Sequence, residues 1–194
     1  PSGASDKKWM QRVFNDSKWK KGAGGAGVET SRGYEEHIHP GFDFEEEMRG
    51  QTSSVYLRYK FSVEDLGEIG GLTLRMKYDD GFIAYLNGAE VASSNAPEDP
   101  AWDSQATGPN DDGAAVRYQA FPISEHLGKL RKGANVLAVH GLNVNPASSD
   151  LLISPELRVT DKSEKKKDLE ARPGFRQTLF LPRVNLLPQF VSIL

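Results

Sequence analysis

From Val55 onward, apolar and polar residues alternate along the chain. In "VYLRYKFSV", Val55, Leu57, Tyr59, Phe61 and Val63 share one face of an extended segment. "LTLRMKY" repeats the pattern with Leu72, Leu74, Met76 and Tyr78. "FIAYLN" and "AEVAS" follow, joined by Asn87-Gly88, the preferred pair for a type I′ hairpin turn because both positions need positive φ. A long loop spans Asn95 to Ala115. "VRYQAFPIS" predicts a strand interrupted at Pro122, and "SEHLGKLRKG" one or two helical turns with Ser124 as N-cap and Gly133 beyond the end. "ANVLAVHGLN" and "LLISPELRV" complete the set. Many short strands, little helix and Gly/Asn/Asp turns predict an all-β fold, an antiparallel sandwich of jelly-roll type. Its expected core includes Leu57, Phe61, Leu74, Phe82, Leu137 and Leu157.

Residues 1–50 lack this alternation. They are polar and glycine-rich, with Trp9, Phe14, Trp19, Tyr34, Phe42 and Phe44 scattered through them. They read as a wrapping segment whose aromatics plug into a core. The module is expected to span residues 1–160. "DKSEKKKDLEAR", residues 161–172, is a solvated charge run at a domain edge. The apolar tail to residue 194, cut by Pro182 and Pro188, reads as an added edge strand, a contact with a partner's sheet or an appended remnant.

Alternating strand direction sorts the loops between two ends. Segments 42–54, 79–81, 94–115 and 143–150 fall at one end, and Asn87-Gly88 and the turn after Ser124 at the other. The first end collects Asp79, Asp80, Asn95, Asp99, Trp102, Asp103, Asp111, Asp112, Asn143, Asn145 and Asp150, with Glu45, Glu46 and Glu47 as neighbours. The other holds glycines with Lys129, Arg131 and Lys132. Oxygen-rich loops on a rigid sandwich suit a sugar's hydroxyls or a calcium ion, although Asp and Asn are also ordinary turn residues. The candidate ligand residues are Asp80, Asn95, Trp102, Asp103 and Asn143. The candidate calcium ligands are Asp80 and Asp150.

Composition narrows the classes. With 38% hydrophobic and 26% charged residues, the chain is globular rather than disordered. A net charge of -3 gives no general attraction to nucleic acid or an anionic membrane. No apolar run reaches the roughly 18 residues of a membrane helix. Cysteine is absent, which removes disulfides and cysteine zinc sites. A chain opening at Pro1 without a leader is expected of an excised piece of a longer protein.

Several motifs have two readings. "GAGGAG", residues 22–27, satisfies G-x-G-x-x-G but lacks the flanking strand and helix of a dinucleotide site, so it reads as a flexible turn. His37 and His39 have the spacing of paired metal ligands, with no obvious third, and read better as exposed or partly packed residues. His140 reads as a hydrogen-bonded histidine of the sheet, or else as one turned toward Asn143. Trp102 sits in a polar loop where no sheet face demands an indole. It either anchors that loop or stacks on a sugar ring. Asp79 and Asp80, adjacent in sequence, are poorly arranged as a glycosidase acid pair, and no hydrolase motif accompanies them.

"YDDGFIAYLNGAEVASSNAP", "WDSQAT", "GANVLAVHGLN" and "SSDLLISPEL", with the opening "FNDSKWKKGAGGAGVE", resemble the galactose-binding-like jelly-roll modules of large bacterial surface and secreted proteins. Such modules accompany CotH-type kinase domains, lamin-tail-type domains, glycoside hydrolases and esterases. The resemblance covers about residues 9–160. It implies a non-catalytic accessory module, often proposed to bind carbohydrate and sometimes holding a structural calcium, in a secreted or cell-surface protein. The function expected is therefore carbohydrate binding or adhesion beside neighbouring domains. The alternatives are a structural or protein-interaction module without glycan binding and, less favoured, a domain of a hydrolase.

Overall fold

The structure is a computed structural model, and it describes residues 7–163 with the backbone segments 185–186 and 189–192. The chain forms β1 (Lys20–Gly22), β2 (Gly25–Glu29), β3 (Ile38–Asp43), α1 (Glu45–Met48), β4 (Ser54–Val63), β5 (Ile69–Asp79), β6 (Gly81–Leu86) and β7 (Ala89–Ser94). Then come α2 (Asp112–Ala115), β8 (Gln119–Pro122), β9 (Gly133–Leu142), β10 (Asp150–Asp161), β11 (Asn185–Leu186) and β12 (Gln189–Ser192). Short 3-10 turns cover Lys8–Met10 and Ser124–Lys129.

Two sheets face each other as a β-sandwich. One has the order β1-β12-β4-β9-β6-β7, with β11 also on β4, and the other β3-β2-β10-β5-β8. The pairings are antiparallel except that of β2 with β3. The alternation read from the sequence is realised between the sheets: Leu57, Phe61, Leu74, Phe82, Leu137 and Leu157 are all buried in one core cluster. Truncating one of the fully enclosed residues to alanine costs roughly 2–5 kcal/mol. The opposite face of β4 is covered as well. There Tyr56 packs with Trp9, Met10 and Ala138, and Phe14 and Trp19 close over them. The wrapping segment thus buries Trp9, Tyr34, Phe42 and Phe44.

Consecutive strands are not always sheet neighbours. β4 and β5 lie in different sheets, as do β5 and β6, and β7 and β8. Strand direction still alternates, so the loops collect as parity requires. Leu142 is opposite both Ser54 and Gly81, and Leu152 is opposite Asp79. The ends of β5 and β9 and the starts of β4, β6 and β10 therefore share one end of the sandwich.

Several local expectations change. Gly25-Ala26-Gly27 is a buried strand, not a flexible turn. An added Cβ at Gly27 would lie 1.9 Å from the Leu151 carbonyl oxygen, and one at Gly25 would lie 2.3 Å from that of His37. These glycines are required by close backbone approach. Ser124 does not cap its turn; its hydroxyl takes the Leu72 amide at 3.0 Å. Part of the apolar tail lies inside a sheet rather than at its edge, because β12 pairs with both β1 and β4. The remainder of the charge run and tail lies outside the described residues.

Candidate functional site

The crossover from β5 to β6 brings Asp79 and Asp80 to the shared loop end, and both are buried. Their peptide bond is cis. Asp80 works as a clamp between the loop after β7 and the loop after β9. Its Oδ1 accepts the Asn110 amide at 3.2 Å and its Oδ2 the Val144 amide at 2.7 Å. Its carbonyl accepts Asn95 Nδ2 at 2.9 Å. Asn143 is buried too, donating Nδ2 to the Asp150 carbonyl at 2.7 Å. Asp80 and Asn143 therefore lie beneath the surface, where their side chains hold loops rather than face solvent. Asn95 is half-buried at a left-handed φ of 48° and joins the same clamp.

Asp79 has a different setting. The Tyr34 hydroxyl donates to its Oδ2 at 3.1 Å, while Oδ1 is buried and without a hydrogen-bond partner. Burial, then the adjacent Asp80, then the charge of Asp150 push the Asp79 carboxyl well above the usual carboxylate range. Asp150 is also raised, first by burial and then by the charges of Asp112, Glu29 and Asp80, against the lowering hydrogen bond from Ser148. Carboxylate oxygens of Asp79, Asp112 and Asp150 lie within 4.8 Å of one another. The metal pairing expected from sequence joined Asp80 to Asp150; geometry joins Asp150 to Asp79 and Asp112 instead, because both Asp80 oxygens already hold backbone amides. Glu47 pairs with Lys20 and Glu45 with Arg49, so these acids serve surface ion pairs.

Trp102 and Asp103 stand apart from this cluster. Trp102 is 39% exposed. With Gln51, Thr52, Ser53, Asp103 and Gln105 it lines an open cleft of about 170 Å³. Its loop is held through backbone atoms. The Tyr56 hydroxyl donates to the Trp102 carbonyl at 2.7 Å and the Ser54 hydroxyl to the Ser104 carbonyl at 2.8 Å. The Ala106 amide reaches the Asn143 carbonyl at 2.9 Å. Backbone bonds thus seat this loop, and the indole keeps a partly exposed face toward the cleft. Ser53 adds a buried hydroxyl without a partner.

The histidines resolve individually. His140 is buried on the outer face of β9, stacked on Tyr56 at 4.4 Å and 2.8 Å from the Ser54 hydroxyl. His39 accepts the Gly41 amide through Nδ1, and His37 lies 3.4 Å from Lys77 Nζ. Among the described residues, neither belongs to a cluster of metal-ligating groups. Nothing local marks Tyr34 as the partner of Asp79, since it lies in an irregular segment 45 residues away. The cleft residues Gln51, Thr52 and Gln105 likewise carry no local signal. At the opposite end, Asn87 and Gly88 have φ of 53° and 91°, as the hairpin turn requires. Asn87 also ties that end together, accepting the Val136 amide and donating to the Lys129 carbonyl.

No protein-family model and no curated protein matches the sequence. Among solved structures, the chain is similar to the Streptomyces avermitilis alpha-L-rhamnosidase complexed with L-rhamnose, at 22% identity and a TM-score of 0.39. That match covers 58% of this chain and 9% of the other. The alpha-L-rhamnosidase of Aspergillus terreus matches over 57% of this chain and 13% of its own, at 19% identity and a TM-score of 0.37. The Dictyoglumus thermophilum alpha-L-rhamnosidase matches over the same shares at 17% identity and a TM-score of 0.33. The chain thus spans only a small part of these enzymes, and a likeness of this extent assigns no activity. No helix among the described residues is long and apolar enough to cross a membrane.

Proposed function

We propose that this β-sandwich is a non-catalytic carbohydrate-binding or adhesion module of the galactose-binding-like type, acting beside other domains of a secreted or cell-surface protein. The observation that carries the reading is the exposed indole of Trp102 beside amide and carboxylate groups in one cleft. An indole face stacks on the C–H face of a sugar ring, while Gln51, Gln105 and Asp103 are placed to exchange hydrogen bonds with its hydroxyls. The cleft is smaller than the roughly 300–1,000 Å³ of an enclosing small-molecule pocket, so it suits a shallow contact with part of a glycan. Asp103 is its one acidic lining residue, whereas glycoside hydrolysis ordinarily uses two carboxyls across the bond. A wet, shallow site binds weakly, and avidity in a longer parent would compensate.

A glycan array with and without calcium tests this reading, followed by titration of the best glycan against Trp102→Ala. The expected result is at least a tenfold loss of affinity with an unchanged melting temperature. An array without hits, or full binding by Trp102→Ala, rejects the cleft as the site and favours a module that only orders its neighbours.

A further inference from the structure

We propose, on the reading that the Trp102 cleft is the binding site, that His140 is its positioning residue, setting the indole's loop through Ser54 and Tyr56. His140 is 3% exposed on the outer face of β9, where an apolar side chain would pack without a polar group to satisfy. Register places it opposite Tyr56 on β4 and Ile83 on β6. Its ring stacks on Tyr56, with centroids 4.4 Å apart and planes inclined by 16°, and Trp9 meets it edge-on at 6.5 Å. Tyr56 is held by this stack while its hydroxyl donates to the Trp102 carbonyl at 2.7 Å.

The second arm fixes a hydrogen. His140 Nε2 lies 2.8 Å from Ser54 Oγ, and Ser54 Oγ donates to the Ser104 carbonyl at 2.8 Å. A serine hydroxyl has one hydrogen to give. With that hydrogen on Ser104, Ser54 Oγ accepts from the imidazole, so Nε2 carries the ring hydrogen. Burial keeps the imidazole neutral by lowering its pKa to about 3. A buried hydroxyl that accepts one bond donates the next more strongly, so the imidazole both aims and strengthens the bond to Ser104. Ser54 and Tyr56 stand two residues apart on one face of β4, and the carbonyls they hold, Ser104 and Trp102, also stand two apart. Residues 102–104 therefore run along β4 in the opposite direction, gripped at both ends. Neither arm touches the indole, so His140 acts on it only through the loop backbone.

The experiment reads the indole directly. The whole chain carries 5-fluorotryptophan at its three tryptophans, and the Trp102 fluorine signal is identified by its loss in Trp102→Phe. His140→Phe keeps a ring against Tyr56 but gives Ser54 no hydrogen. His140→Gln loses the ring but keeps an N–H donor. His140→Phe should move or broaden the Trp102 signal, leave that of Trp19 in place and weaken the best glycan of the array about threefold or more. Ser54→Ala should do the same, and the double variant should do no more than the stronger single one, as befits residues acting in one chain of contacts. His140→Gln should disturb Trp102 less than His140→Phe does, and wild-type imidazole nitrogen shifts should place the hydrogen on Nε2. A Trp102 signal unmoved in both His140→Phe and Ser54→Ala overturns the proposal. So does a change shared equally by Trp19 and Trp102, which would make His140 ordinary packing. Ser54→Ala carries the same test if His140→Phe fails to fold. Should no glycan bind, the carbohydrate reading falls alone, because the fluorine signals still decide whether His140 sets the loop.

Discussion

Arg58 Nε lies 2.9 Å from Asp16 Oδ2, and Arg58 is wholly enclosed between the outer face of β4 and the wrapping segment. Lys60 Nζ reaches the other Asp16 oxygen at 2.6 Å, and Arg58 Nη1 donates to the Trp9 and Gln11 carbonyls. Arg58 Nη2 has no partner, so the guanidinium depends on Asp16 for its counter-charge. Removing one member of such a pair leaves a buried charge uncompensated, which typically costs ~3–5 kcal/mol. Asp16→Ala should lose stability on that scale in urea unfolding. Burial tends to raise the Asp16 carboxyl, but Lys60 and Arg58 together hold it below its ordinary value. A depressed folded pKa gives stability that is present above the unfolded value and lost as pH falls through the folded one. Unfolding curves below about pH 4 should therefore steepen in the wild type and not in Asp16→Asn.

His140 makes the opposite end of the acid response. Its burial between Trp9, Tyr56 and the sheet lowers its pKa to about 3. The unfolded chain takes up the proton near pH 6.5, while the folded chain keeps a neutral ring until about pH 3. Stability from this residue is complete above pH 6.5 and falls as pH drops toward 3, by about 1.4 kcal/mol per unit. His140→Gln should flatten stability between pH 6 and 4, whatever its absolute cost. An unchanged slope in the variant would show that another group carries the titration.

Gly27 is the strictest backbone position. Its Cα faces the Leu151 carbonyl so closely that a methyl group would overlap it, and neither atom belongs to a flexible side chain. Gly27→Ala should shift β2 against β10 and cost about 3 kcal/mol or more by overpacking. Gly81→Ala should be destabilising for the same kind of reason, with the Asn95 carbonyl oxygen 2.7 Å from the added Cβ, rather than through a left-handed φ. Gly50→Ala meets no atom, so its cost comes only from its φ of 71° and should be smaller. Thermal melts of the three variants give the ranking.

The core and the loop ends were legible because both rest on period and parity. Alternation in β4, β5 and β9 decides which side chains face inward, and it survives whichever sheet a strand joins. Loop-end placement needs only that direction reverses at each connection, so Asp80, Asn143 and Asp150 were correctly gathered although β4 and β5 are in different sheets. Apart from the Asn87-Gly88 hairpin, pairing was not legible, because the other connections carry no local mark that separates a hairpin from a crossover. Nor was the division of labour among the acids. Whether Asp79 or Asp80 holds amides depends on where the Asn110 and Val144 backbones pass, and those contacts span 30 and 64 residues. "GAGGAG" was misread because a glycine demanded by a neighbouring carbonyl looks identical, in sequence, to one demanded by a turn.

Asp80 and Trp102 should therefore separate stability from binding. Asp80→Ala removes the acceptor of the Asn110 and Val144 amides, and hydrogen bonds to a charged group are worth about 1.5–3 kcal/mol each. With both bonds lost, the variant should lose roughly 3–6 kcal/mol of stability. The backbone bonds from Tyr56, Ser54 and Ala106 that seat the 101–106 loop remain. Its glycan affinity, measured well below its melting temperature, should stay within about a factor of three, less than 0.7 kcal/mol. Trp102→Ala should show the reverse: an unchanged melt and a binding loss of tenfold or more. Asn87→Ala, which unties the hairpin turn from Lys129 and Val136 at the far end, should lower the melting temperature and leave binding alone. A binding loss in Asp80→Ala equal to that of Trp102→Ala would mean that the ligand sits over the Asp80 clamp, and the cleft would no longer be the place to look.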